Sequence, residues 1–457
     1  MKWVIAVLIF SLLILFHEFG HFLLAKLNGV TVEEFSLGFG PRILSAVRGE
    51  TRYSIKLLLF GGSCRMKGMM AELEDDEYED DDEEEDGDSE EEERRRLEED
   101  AEGSFLSASL GQRAAIIFAG PFFNFLLAFI CSVIVISVVG YDPALVVQVA
   151  EGSPAAQAGL QAGDTITSFN GEKVVIGRDL DTWFMFQDLK ADTEISLTYK
   201  RDGNSYEISF LPETIRRYMM GLTYSLDSEN AVVDAVSVNS PLDNAGIRSG
   251  DIITAVNGTE ITTGQSLYDY FQANTMDGSE MSLQISRSGR TYEKTLTPVF
   301  TDYVRLGFSY NLGRITTTPA GVLRYSFTEL RYWIVSTVKS LGGMFTGRFS
   351  VNDLSGPVGI VDIVGTTYEE AKEDGPVMTW MNMLNLIILL SANLGVMNLL
   401  PLPVLDGGRL LFILLEALRG KPLSQKVEAS IQTVVAVLLI LLMVYVMYHD
   451  LLTLIAG

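Results

Sequence analysis

The sequence predicts a multi-pass α-helical membrane protein of about four spans, the third discontinuous, with two extracytoplasmic β-rich modules inserted between spans 2 and 3. Three observations carry this: long apolar runs near both ends of the 457 residues, an internal repeat between them, and Lys and Arg gathered into two of the loops.

The first run, Val4–Leu24, is apolar except for Ser11 and the cluster His17-Glu18-His21. Following Lys2, it has the outline of a secretory signal peptide. No small-residue cleavage site follows, and ionisable groups run straight on into apolar sequence, so a retained span over 1–27 is predicted. Ala114–Val139, within a segment 104–139, is long enough to cross with some tilt. Val377–Ala417, within 377–418, is apolar but broken by Asn393, Asn398, Pro401, Pro403, Asp406, Gly407 and Gly408. That is the pattern of a discontinuous membrane helix, tolerated where the opened backbone lines a protein-enclosed cavity. Ile431–Met447, within 427–450, is the fourth.

Basic residues near span ends mark the cytoplasmic side. Lys26, Arg42, Arg48, Arg52, Lys56, Arg65 and Lys67 follow the first span; Arg419, Lys421 and Lys426 follow the third. Both loops are therefore expected in the cytoplasm, with the termini and residues 140–375 outside the plasma (inner) membrane. The net charge of -26 is local: residues 72–102 hold 22 Asp or Glu against three Arg, a net -19 that leaves -7 elsewhere. A disordered acidic insert over 72–103 is expected. With no basic stripe or arm, nucleic-acid binding is excluded. Two cysteines, Cys64 and Cys131, make no disulfide framework.

The repeat has an offset of 87: Ser153-Pro154 returns as Ser240-Pro241, Ala158-Gly159 as Ala245-Gly246, Gly163-Asp164 as Gly250-Asp251, and Asn170-Gly171 as Asn257-Gly258. Short β-rich runs such as Ile195–Lys200 and Met281–Arg287 surround each copy, with Asn-Gly turn signals between strands. The pattern resembles PDZ domains, placed at 140–215 and 221–300, with a membrane-associated linker over 301–376. Such folds can accept a peptide at a sheet edge; whether these copies bind peptide or only gate access is left open by the residues.

His17-Glu18-Phe19-Gly20-His21 fits H-E-x-x-H. Residues four apart on a helix lie about 400° around and roughly 6 Å along, so both imidazoles share a face. They can grip one Zn²⁺ while Glu18 reaches a water as general base. Ionisable groups inside a membrane helix are costly without a function, and the chain has three His in all. A catalytic zinc takes three protein ligands and leaves one position open. His449 falls at the outer end of the fourth span, about 30 Å from the His pair. Asp406, more than 20 residues along the inward-running third span, reaches a similar depth to the pair on the cytoplasmic side. The sequence thus nominates His17, His21 and Asp406 for metal and Glu18 for catalysis. Arg52–Phe60, ending in Gly61-Gly62, reads as a strand in a membrane-associated β-loop (28–71), with Gly38-Phe39-Gly40-Pro41 as a turn before it. Lys56, Leu57 and Leu58 are expected to pair with an extended substrate as an added strand, beside Pro401 and Pro403. Asn393 and Asn398 either hold that substrate's opened backbone or serve as polar glue between helices.

The His17–His21 motif, together with Asn398-Leu-Leu-Pro401-Leu-Pro403-Val-Leu-Asp406-Gly407, resembles the site-2 protease family. The two PDZ-like copies, Ala119-Gly120-Pro121-Phe-Phe-Asn124 and Ser355-Gly356-Pro357-Val-Gly359 resemble its bacterial branch, the regulator-of-sigma-E type. The resemblance covers nearly the whole chain and departs at the acidic insert. It implies a zinc metalloendopeptidase that cuts single-span membrane proteins after another protease has trimmed them, with anti-sigma factors or signal-peptide remnants as clients. It also implies the same ligands and base. A non-catalytic adaptor presenting the two modules would explain the repeat but not the His-Glu-His-Asp set. A metal transporter would leave the Glu of H-E-x-x-H without a role.

Overall fold

The computed structural model describes residues 2–69, 102–349 apart from positions 188, 191, 227, 238, 239, 288 and 312, then 356–421 and 425–456. Residues 72–101 of the expected acidic insert lie outside the described residues. The chain divides into two units, residues 1–141 with 314–450, and 142–313 with 451–457.

The first unit is helical. Among the described residues, four helices are long and apolar enough to cross a membrane: within α1 (Lys2–Leu27), α2 (Leu110–Val139), α9 (Pro376–Asn398) and α11 (Gln425–Ala456). Ala6, Ile9 and Leu13 of α1, Leu127, Ala128 and Cys131 of α2, and Ile387, Ile388 and Ala392 of α9 interlock in one core, joined by Val361 and Val364 of α8 (Pro357–Glu373). Ser109 caps α2 reciprocally: its Oγ accepts from the Gln112 N–H while its own N–H donates to Gln112 Oε1, satisfying donors that the first turn leaves free. Residues 301–376, expected as a membrane-associated linker, contain α7 (Pro319–Phe345) and α8. Arg324, Glu329, Arg331 and Lys339 recur along α7, which lowers its hydropathy and hides a 27-residue helix from any search for spans.

Between α1 and α2 lies a two-stranded sheet of long, bent strands, β1 (Val32–Arg48) and β2 (Thr51–Met66). The strand at 52–60 and the turn at 38–41 expected from sequence are parts of these. The register doubles back: Glu34–Leu37 face both Arg52–Ile55 and Gly62–Arg65, while Arg42–Arg48 pair with Thr51–Lys56. Gly38 permits the bend with a φ of 90°, and an added Cβ would meet the Leu58 carbonyl oxygen at 2.4 Å. Buried Glu34 pins the fold-back. Arg42 Nε donates to it at 2.8 Å and Ser54 Oγ at 2.6 Å, with Lys56 Nζ at 3.5 Å. The hydrogen bond from Arg42 is the main force holding its carboxyl down at about 2; Ser54 and Lys56 add to it.

The second unit contains both copies of the repeat. The first has the sheet β16-β3-β4-β6-β7, with β5 (Glu172–Lys173) beside β4, built from β3 (Leu145–Val149), β4 (Thr165–Phe169), β6 (Ile195–Arg201), β7 (Asn204–Phe210) and β16 (Phe308–Asn311). The second has β12-β11-β13-β14, from β11 (Ile252–Val256), β12 (Thr259–Glu260), β13 (Met281–Arg287) and β14 (Arg290–Leu296). Each copy sets a ten-residue helix against its sheet, α4 (Gly177–Phe186) and α6 (Gly264–Ala273). The repeat holds at the level of atoms. Arg201 grips both oxygens of Asp164 and the Gly159 carbonyl, and Arg287 grips both of Asp251 and the Gly246 carbonyl. Asn170 and Asn257 share a φ of 47°.

The copies are not in tandem. β16, inside the expected linker, returns to pair with β3, the first strand of the first copy. The second copy is therefore inserted within the first, at the end of the ribbon formed by β8 (Glu213–Met219) and β15 (Val299–Arg305).

Candidate metal centre

His17 and His21 lie one turn apart on α1, both buried, with ring centroids 4.8 Å apart. Asp406 comes from the break in the third apolar run. Between α9 and α10 (Asp406–Arg419) the chain makes a tight turn over Leu399–Leu405, and Asp406 opens the new helix, where a carboxylate suits the positive end of the dipole. The two glycines after it are required by close approach. A Cβ on Gly407 would meet the Leu399 and Leu400 carbonyl oxygens at 2.3 Å, and one on Gly408 the Leu402 oxygen at 2.2 Å. The start of α10 can therefore tuck under the turn. Further along, buried Arg113 of α2 donates to Glu416 at 2.6 Å and holds α10 against α2.

Three atoms converge. Asp406 Oδ2 is 3.1 Å from His17 Nε2 and 3.4 Å from His21 Nε2, and the two nitrogens are 3.2 Å apart. Donors bound at about 2.0–2.1 Å around a tetrahedral ion stand roughly 3.3 Å from one another, so the triangle has the dimensions of three corners of such a site. Its chemistry agrees: Asp406 Oδ2 is buried without a hydrogen-bond partner among the described residues, a costly state for a carboxylate unless a cation or proton compensates it. The residues fit a divalent metal.

Gly120 of α2 makes room for the triangle. A Cβ there would stand 2.4 Å from His21 Nε2 and 2.7 Å from His17 Cε1. Pro121, next in the helix, has no N–H to give and interrupts the ladder in the turn beyond Ile116. Ile116's carbonyl oxygen lies 2.8 Å from His21 Nδ1. A carbonyl only accepts, so Nδ1 carries the proton and Nε2 keeps a free lone pair toward Asp406.

Glu18 sits between the two histidines in sequence and is half-buried. β2 passes over it: a Cβ on Gly62 would meet Glu18 Cγ at 3.1 Å. Nearby Cys64 is no thiolate; burial, and then the Glu18 charge, push its thiol well above the usual range.

The other nominated residues separate. Asn398 joins the cluster, its Nδ2 3.4 Å from His17 Nδ1. Asn393 instead accepts a hydrogen bond from Thr337 Oγ1 of α7, the polar-glue arrangement. Pro401 and Pro403 lie in the turn before Asp406, Lys56 is engaged by Glu34, and Leu57 and Leu58 are each 57% exposed. Asn124, seen in sequence only within a family motif, proves central: fully buried, its Nδ2 is 3.0 Å from His17 Nδ1. The available signal was that it is the one side-chain amide in the run Ala114–Val139.

A helical membrane protein with two imidazoles and a carboxylate set for one metal ion between its spans belongs to the class of membrane-embedded metalloproteins. The comparison with known proteins is more particular. Residues 5–442 match the model of Peptidase family M50, and the chain belongs to that family. It is 30% identical to the zinc metalloprotease RasP of Bacillus licheniformis, over 98% of this chain and 99% of that protein. It is 29% identical to the regulator of sigma E protease of Haemophilus influenzae, over 97% of each chain. The regulator of sigma-W protease RasP of Bacillus subtilis is 28% identical, over 97% of this chain and 96% of that one.

Proposed function

We propose that this intramembrane zinc metalloendopeptidase holds its metal through His17, His21 and Asp406 and uses Glu18 as general base. The observation that carries the reading is the single oxygen of Asp406 lying 3.1 and 3.4 Å from the two Nε2 atoms. Zinc held there would supply Lewis acidity for a scissile carbonyl and for water. Glu18, on the same helix but half-buried rather than enclosed, takes the proton from the attacking water and returns it to the leaving amine. His21, its Nδ1 proton fixed on the Ile116 carbonyl, keeps its lone pair aimed at the metal.

The clients are single-span membrane proteins, cut within the bilayer after prior trimming: anti-sigma factors, in keeping with the names of the sigma-E and sigma-W relatives, or signal-peptide remnants. A helical client must be opened before its peptide bonds are reachable. The bent sheet would receive it as an added strand, with the exposed Leu57 and Leu58 and the passage of Gly62 over Glu18 in support. Asn398, Pro401 and Pro403 would flank it on the Asp406 side. The two β-modules are PDZ-like and extracytoplasmic in this reading, and the metal lies toward the cytoplasmic side.

Cleavage of a membrane-spanning reporter tests the roles. Glu18→Gln abolishes cleavage and retains zinc, because the base is not a ligand; His17→Ala and Asp406→Ala lose both. Near-normal cleavage by Glu18→Gln would sink the protease assignment of this site and favour the adaptor.

A further inference from the structure

An imidazole that gives one nitrogen to a metal keeps its proton on the other, and that proton needs an acceptor. His21 has a carbonyl for this purpose. His17 has none: its Nδ1 faces two side-chain amino groups, Asn124 Nδ2 at 3.0 Å and Asn398 Nδ2 at 3.4 Å. Amino groups donate, so here Nδ1 accepts and the His17 proton sits on Nε2, directed at His21 Nε2 3.2 Å away. A ring protonated at Nε2 has no lone pair there for a metal.

Asn124 carries the remedy. It is fully buried, and its Oδ1 has no hydrogen-bond partner among the described residues, an expensive state for an amide oxygen. A half-turn of the amide exchanges oxygen and nitrogen within nearly the same volume. The stranded oxygen then accepts from His17 Nδ1–H, and Nε2 is bare. One proton leaves Nε2 to solvent and one arrives at Nδ1, so the ring stays neutral. The backbone need not move, since Ser391 Oγ of α9 donates to the Asn124 carbonyl at 2.8 Å and anchors it. Asn398 is farther off and only half-buried.

We infer that Asn124 is the positioning residue that sets the tautomer of His17, its amide oxygen accepting from Nδ1–H when zinc is held through Nε2. The inference rests on His17 being a zinc ligand, and the experiment separates the two. The full-length protein in detergent, stripped of metal, is titrated with Zn²⁺ against a chromophoric chelator. Asn124→Leu, of similar size without polar atoms, lowers zinc affinity on the order of 10–100-fold. Asn124→Asp, which accepts in either orientation, equals or exceeds the parent. Equal losses in both variants mark a packing role and overturn the inference, as does full affinity in Asn124→Leu. His17→Ala with undiminished affinity overturns the ligand assignment and the inference together; His17→Ala impaired while Asn124→Leu is not overturns the inference alone. A second measurement needs no variant at position 124. With ¹⁵N-histidine labelling, resonances assigned through His17→Ala show His17 protonated at Nδ1 with zinc; a bare Nδ1 in the zinc form overturns it.

Discussion

At Gly120 the triangle of His17, His21 and Asp406 is protected by an absence of atoms. No other residue type leaves the space that the two imidazoles occupy, because a Cβ would stand 2.4 Å from His21 Nε2, and the atom it meets is held in place by the Ile116 carbonyl. Gly120→Ala should therefore lower zinc affinity on the order of tenfold or more, while the metal-free protein loses only about 1–3 kcal/mol to overpacking. Chelator competition measures the first and thermal unfolding of the stripped protein the second; undiminished zinc affinity would mean that the imidazoles are not confined by α2. Much of this centre was legible in the sequence. The four-residue spacing of His17 and His21 needs only helical geometry, and Asp406 was found by its depth along a broken apolar run. Gly120 and Asn124 were not legible as neighbours of the two imidazoles. An apolar span buries residues all round, so its sequence does not reveal which face turns toward α1.

Among elements, the bent sheet has the clearest electrostatic signature. Glu34 is held in charged form by Arg42, Ser54 and Lys56, so its carboxyl titrates at about 2 rather than near its ordinary 4.5. A group whose value is depressed by folding stabilises the fold fully above the ordinary value, and the contribution is lost as pH falls through the depressed one. Hydrogen exchange across residues 51–66 should stay slow down to about pH 4.5 and accelerate toward about pH 2. In Glu34→Gln that transition disappears, and the sheet is weaker at neutral pH by about 1–3 kcal/mol. An unchanged acid transition in the variant would assign it to other carboxylates. The sequence indicated a strand and a turn here but not the doubled register, because the pairing of Glu34 with both Arg52 and Arg65 is set by curvature that no local pattern records. α7 escaped for the opposite reason: its helical period was present, but its charges resembled those of a loop.

At the scale of the molecule, the internal repeat was legible from identities alone, its nesting was not. An offset of 87 fits two modules in a row equally well, and only the pairing of β16 with β3 shows that one is held inside the other. The nesting makes a prediction about fragments. Residues 142–313 should unfold with both modules contributing, whereas residues 142–300 lack β16 and expose β3, whose Val146 is otherwise buried. The shorter fragment should lose protection from proteolysis throughout 145–210 and keep it in 231–296. Protection of both regions in the shorter fragment would show that β16 is dispensable to the first sheet.

The same ribbon has a consequence for engineering. Met219 faces Val299 at its distal end, and strands so paired stand about 5 Å apart, so the inner module enters and leaves through neighbouring residues. It is a plug-in cassette. A foreign domain with adjacent termini, such as a fluorescent reporter or a ligand-gated switch, can be spliced between Met219 and Val299 without cutting any strand of the host sheet.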